Sequence, residues 1–176
     1  MGSAPIIVLA MSMNGNFRAL PDAELNALIA DPSGVEQLLY ASIFGGSSNG
    51  HDELEVDKAW HGLHFLLTGT AWDGDFPLNF IVVGGEEVGE DLGYGPARAL
   101  RSEDVRKIDA ALEPITSDEL GRRFDADRMA ELQIYPFGWS HDPDGELEYL
   151  LEFYGELRAF VRRTAEHGDA LLVYLS

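Results

Sequence analysis

The chain has 176 residues, no cysteine, and a formal charge of −19 from 31 acidic and 12 basic side chains. These figures exclude disulfides, thiolate metal sites and a cysteine nucleophile. They also argue against nucleic acid and anionic membranes as partners, since both are held mainly by Lys and Arg. A hydrophobic content of 45%, on a chain long enough to bury roughly 70% of its unfolded surface, suits one globular domain over 1–176 without a metal staple.

The first element expected is a buried strand, Pro5-Ile6-Ile7-Val8-Leu9-Ala10-Met11. It is too short to span a bilayer and is not preceded by the positive charge of a secretory leader. Residues 1–10 also read as an added or extended start, because Met11 or Met13 would serve as an initiator. Leu20-Pro21-Asp22 opens a short amphipathic helix carrying Leu25, Leu28 and Ile29. Asp31-Pro32-Ser33 ends it, and a second helix follows with Val35, Leu38, Leu39 and Ile43 on one face. Residues 45–50, with three glycines, form a loop.

A third helix is expected from about Glu53 to Thr68, ended by Gly69. The apolar run 78–83 reads as a buried strand. Residues 84–96 hold five glycines and read as a long loop with room for a brief strand. Residues 97–101 then form a short strand feeding a helix capped by Ser102. Thr116-Ser117-Asp118-Glu119 has capping-box spacing, and another short helix follows Asp125. The last helix spans about 146–167, with Leu147, Leu150, Leu151, Tyr154, Leu157 and Val161 on one stripe. Gly168 stops it before a final strand at 170–175. The pattern predicts a small mixed or antiparallel sheet, built from both termini and the 78–83 strand and covered by several helices. This is an α+β fold whose strand order the pattern does not give.

Three segments concentrate side chains able to do chemistry. On a helix, 100° per residue places Asp57, His61 and His64 in one row beside Trp60, Leu63 and Leu67. That row could hold a divalent metal or orient one imidazole as a base, although a helix so rich in Trp60, Phe65, Leu66 and Leu67 is first of all a core helix. In Asp91-Leu92-Gly93-Tyr94-Gly95-Pro96-Ala97-Arg98, two glycines and a proline specify a tight turn that presents Tyr94 and Arg98, and Arg98 could clamp a carboxylate or phosphate. In Tyr135-Pro136-Phe137-Gly138-Trp139 the aromatics either lid a pocket or wall the core; most are expected to wall the core, with Trp139 the one expected near a pocket mouth. The adjacent Ser140-His141-Asp142 is no triad, because sequence neighbours point apart. The chain has no P-loop, nucleophile elbow or His-Glu-x-x-His motif.

In order, Met13-Asn14-Gly15-Asn16-Phe17-Arg18, Asp57-Lys58-Ala59-Trp60-His61-Gly62-Leu63-His64 and Leu92-Gly93-Tyr94-Gly95-Pro96-Ala97-Arg98 resemble the YfbM-like family of bacterial proteins. The resemblance continues through Ile134-Tyr135-Pro136 to the closing helix and strand. It implies a compact α+β domain of the bacterial cytoplasm. It implies no catalytic residues, because the family is known as a domain of unknown function.

The expectation is therefore a non-catalytic binding or interaction protein with a basic protein partner, in a recruitment or immunity-type role. The alternative is a small-molecule pocket, enzymatic or not, lined by Trp60, His61, His64, Tyr94, Arg98 and Trp139. No metal or cofactor is expected. The pocket depends on the two imidazoles and Arg98 opening onto a shared cavity.

Overall fold

The computed structural model describes residues 12–43 and 51–176. The expected strand at 5–11 and loop at 45–50 lie outside the described residues. The strands are β1 (Gly15–Leu20), β2 (Glu53–Glu55), β3 (Glu86–Val88), β4 (Ala97–Leu100) and β5 (Ala170–Leu175). They form one antiparallel sheet in the order β2-β1-β5-β4-β3. The last strand in sequence is thus the central one, with Phe17 opposite Val173 and Ala99 opposite Leu172.

Side chains on a strand alternate between faces, and both faces of this sheet are covered. Leu20, Ala97, Ala99, Ala170 and Leu172 pack with Leu25, Val35 and Leu39 from α1 (Asp22–Ala30) and α2 (Ser33–Ile43). Phe17, Ala19, Leu100, Leu171 and Val173 enter the larger core on the other side. That core is completed by α3 (Trp60–Thr68), α4 (Ser102–Leu112), α5 (Ser117–Gly121), α6 (Ala126–Glu131) and α7 (Pro143–His167). The architecture is α+β, as the sequence pattern predicts. Among the described residues, no helix is long and apolar enough to cross a membrane.

Several helix ends follow the expected chemistry. Thr116 Oγ1 accepts the Glu119 N–H at 3.1 Å, Asp125 Oδ1 accepts the Arg128 N–H at 2.9 Å, and Gly69 closes α3 at φ 75°. Three expectations are corrected. The 53–68 helix is divided: β2 pairs with β1, Asp57 takes φ 47°, a 3-10 turn covers Asp57–Ala59, and only then does α3 begin. Ser102 does not cap α4 with its own oxygen. Its N–H and hydroxyl donate instead to the Asp22 carboxylate at the start of α1, which holds that carboxyl below the usual Asp range.

The third correction is the 78–83 run, which is a series of turns and not a strand. Phe80 and Ile81 are buried, so the apolar signal was a burial signal. The N–H groups of Val82, Val83 and Gly84 converge on the Asn79 carbonyl. The guanidinium of Arg98, on β4, takes the carbonyls of Phe80, Ile81 and Gly84. Buried backbone groups must be paired, and this segment is paired without a ladder.

Candidate functional site: an aromatic face beside a small cleft

The first turn of α3 is held in the interior by its polar atoms. Trp60 is 1% exposed, and its indole N–H donates to the Met13 carbonyl at 2.9 Å. The Tyr135 N–H donates to His61 Nδ1 at 2.9 Å, so the ring proton sits on Nε2, which donates to the Ala71 carbonyl at 2.8 Å. His61 is therefore a neutral imidazole with both nitrogens satisfied. Burial lowers its pKa, and the bond to Ala71 opposes that only in part.

His64, one turn on, is equally sealed, yet neither of its ring nitrogens has a hydrogen-bond partner. Asp57 does not complete the expected row. It lies before α3, and its carboxylate accepts the Tyr149 hydroxyl at 2.9 Å. Among the described residues, no group of three or more His, Cys, Asp or Glu side chains could hold a metal ion.

Trp139 is also buried, and its indole N–H donates to the Ile134 carbonyl at 2.8 Å. It walls the core and does not stand at a mouth. Its ring packs over Gly62, where an added Cβ would meet Leu150 Cδ2 at 2.7 Å and the Trp139 ring at 3.0 Å. Overpacking of this kind costs about 1–3 kcal/mol. Gly62→Ala is therefore expected to lower the unfolding free energy by that amount, read as a lower urea midpoint, and an unchanged midpoint would mean the helix–Trp139 contact is looser than described.

The 91–96 turn is tight, as expected, and the Asp91 side chain holds it so. Its Oδ1 accepts the N–H of Gly93 at 2.7 Å and of Gly95 at 2.9 Å, both glycines having positive φ. Tyr94 is presented half-buried. Arg98 is half-buried as well, but three of its five N–H donors go to the 80–84 carbonyls rather than to an anion. Burial lowers its pKa to about 10, against the pull of Glu87 opposite it in β3.

The structure brings Trp60, Tyr94 and Arg98 together along one cleft of about 200 Å³, with Trp72 and Glu87 on its walls. His61, His64 and Trp139 do not line it. The imidazoles and the guanidinium thus fail to share an open cavity, because α3 turns both histidines inward under residues 71–78. A larger, acidic depression of about 750 Å³ lies between α2 and residues 89–92, reaching only Asp91 and Leu92 of the glycine-turn segment.

Sequence reasoning missed Trp72, which is 60% exposed. It placed most of the 135–139 aromatics in the core without singling out Phe137, which is 61% exposed. Trp72 lies over His61 at 4.2 Å between ring centroids and over Trp60 at 6.1 Å. Trp60 stacks on Tyr135 at 5.7 Å, and Tyr135 meets Phe137 edge-on at 6.1 Å. The result is a continuous run of rings, sealed in the middle and open at both ends. A signal for Trp72 was present: it follows a helix stop and precedes Asp73-Gly74-Asp75, polar company for so large a ring.

The fold and this face define an α+β domain with a fixed aromatic surface and two inward-turned histidines. The chain belongs to the family described as Domain of unknown function (DUF1877), whose model matches residues 11–174. It is 30% identical over 169 residues to Protein YfbM of Escherichia coli (strain K12), covering 93% of this chain and 98% of that protein. Its fold matches the crystal structure of a protein of unknown function, YfbM from Escherichia coli, with a TM-score of 0.72 and 24% identity over 93% of this chain and 99% of that one.

Proposed function

We propose that the protein is a non-catalytic interaction domain of the bacterial cytoplasm, and that the aromatic face around Trp72 and Phe137 is its recognition surface. The observation that carries this reading is the exposure of two large rings, each more than half open to solvent yet fixed from below by tilted and edge-on ring contacts. Rigid, amphipathic aromatics of this kind are the usual anchors of protein interfaces.

Charge supports a basic partner. From Ala59 to Ala97 the chain has no Lys or Arg, while Asp73, Asp75, Glu86, Glu87, Glu90 and Asp91 fall within that stretch. Opposite potentials speed encounter and set orientation. A recruitment or immunity-type role is consistent with this chemistry. The alternative, a small-molecule site using Tyr94 and Arg98, rests on the cleft; its volume of about 200 Å³ is below the roughly 300–1,000 Å³ of ordinary ligand pockets.

The test is a photocrosslinking residue at position 137, used in host lysate at low salt and again at high salt. A specific basic protein should be captured, less so at high salt, and lost on Trp72→Ala. Each hot-spot ring is worth about 2 kcal/mol, roughly thirtyfold in affinity. Capture that Trp72→Ala leaves unchanged, with the fold intact by circular dichroism, removes this face from the proposal.

A further inference from the structure

Residues 71–78 cover a buried polar group that has nothing to bond. His64 is 0% exposed, and both of its ring nitrogens lack a hydrogen-bond partner. The Asp73 backbone approaches the ring without completing a bond of normal geometry. The charged and titratable groups around the ring are His61 on α3, Asp73 on the covering segment and Arg98 on β4. Arg98 in turn faces Glu87.

The cover lies on the surface, with none of its residues fully buried. Trp72, Asp73, Asp75 and Phe76 are exposed, and Ala71, Gly74, Pro77 and Leu78 are half-buried. Its fastenings are the His61–Ala71 bond, the contacts of Trp72 with His61 and Trp60, and two polar ties. The Thr70 hydroxyl donates to the Asp73 carbonyl at 2.7 Å and accepts the Asp73 N–H at 3.2 Å, and Asn79 gives its side-chain N–H to the Gly74 carbonyl at 2.9 Å and its backbone N–H to the Asp75 carbonyl at 3.2 Å. Gly69 and Gly74, both at positive φ, bracket its first half. Beyond it, Phe80 and Ile81 are buried and anchored through Arg98. Segments with few buried contacts open well before the core does.

We propose that His64 is an acid-operated latch: a proton on its ring, sealed with no hydrogen-bond acceptor, drives residues 71–78 off α3 and carries Trp72 away from His61. Opening admits water to the two nitrogens and hydrates the new charge, which the closed state cannot do. The direction follows from linkage. Burial, with His61 and Arg98 nearby, lowers the His64 pKa from 6.5 to about 4. The open form therefore binds the proton more tightly, and the closed form loses ground as pH falls from about 6.5 towards 4.

Where Trp72 serves recognition, acid switches that face off. This consequence rests on the proposed function, whereas the latch itself does not, because its readout needs no partner.

The test is limited proteolysis of the full-length protein by pepsin between pH 5.5 and 3.5, with each rate normalised to an unstructured peptide. Cleavage within 71–78 should rise at least tenfold through about pH 4 while α7 stays intact. The rise should be absent in both His64→Leu and His64→Gln. The ring protons of His64, followed by NMR in the unsubstituted protein, should titrate near pH 4 and need no variant. A ring titrating near 6.5, a rise that persists in His64→Gln, or simultaneous cleavage of α7 overturns the latch.

Discussion

Replacing Trp139 with alanine is expected to destabilise the protein by about 3–5 kcal/mol, the usual cost of deleting a buried aromatic side chain. The ring is fully buried, packs over Gly62 against Leu150, and gives its N–H to the Ile134 carbonyl. Truncation removes the apolar contact, leaves a cavity between α3 and α7, and strands a buried acceptor, three losses that act in the same direction. A small domain holds only about 5–15 kcal/mol in total, so the variant should unfold at a clearly lower urea concentration. Trp139→Phe should recover part of the packing and none of the hydrogen bond. A loss below about 1 kcal/mol for Trp139→Ala would place this ring at a pocket mouth, the position expected from its loop sequence.

Arg98→Met should cost about 3 kcal/mol, because the carbonyls of Phe80, Ile81 and Gly84 lose their shared donor and each stranded buried acceptor costs about 1–3 kcal/mol before relaxation. Arg98→Lys is the sharper test. A lysine keeps the charge, yet its ammonium is a compact point charge on a flexible stem and does not reproduce the planar fork that reaches three carbonyls. The lysine variant should therefore recover little stability. Equal stability of Arg98→Lys and the unsubstituted protein, by urea unfolding, would show that the charge and not the fork matters at this position. That result would return Arg98 to the role of an anion clamp.

Much of the helical framework was readable from the chain. The caps at Thr116 and Asp125 depend on one side chain reaching an N–H three residues on, a distance that local spacing sets. The α7 stripe through Leu150, Tyr154, Leu157 and Val161 follows from helical periodicity alone. The 78–83 run failed for an equally physical reason. A short apolar stretch reports burial, and burial is shared by strands and by turns whose carbonyls find a donor elsewhere. That donor is Arg98, 14 residues from Gly84 in sequence.

The candidate site was less legible. Tyr94 and Arg98 come from one rigid turn, so their nearness to each other was local information. Their relation to Trp60 was not, because it depends on β4 lying beside β5 at the centre of the sheet. The helical row of Asp57, His61 and His64 assumed that the helix extended back through Asp57, and the pairing of β2 with β1 ended it first. No periodicity distinguishes an imidazole facing solvent from one facing the core when apolar residues surround it on every side.

By itself the sequence determined the acidic, cysteine-free chemistry, the caps at Thr116 and Asp125, the rigid glycine turn and the α+β class, because each is set by composition or by groups a few residues apart. Only the tertiary structure decided the strand order, the inward fate of both histidines, the use of Arg98 as a backbone tie and the exposure of Trp72 and Phe137. Those outcomes depend on contacts between segments far apart in the chain, where burial and hydrogen-bond satisfaction are shared among elements that no local pattern links.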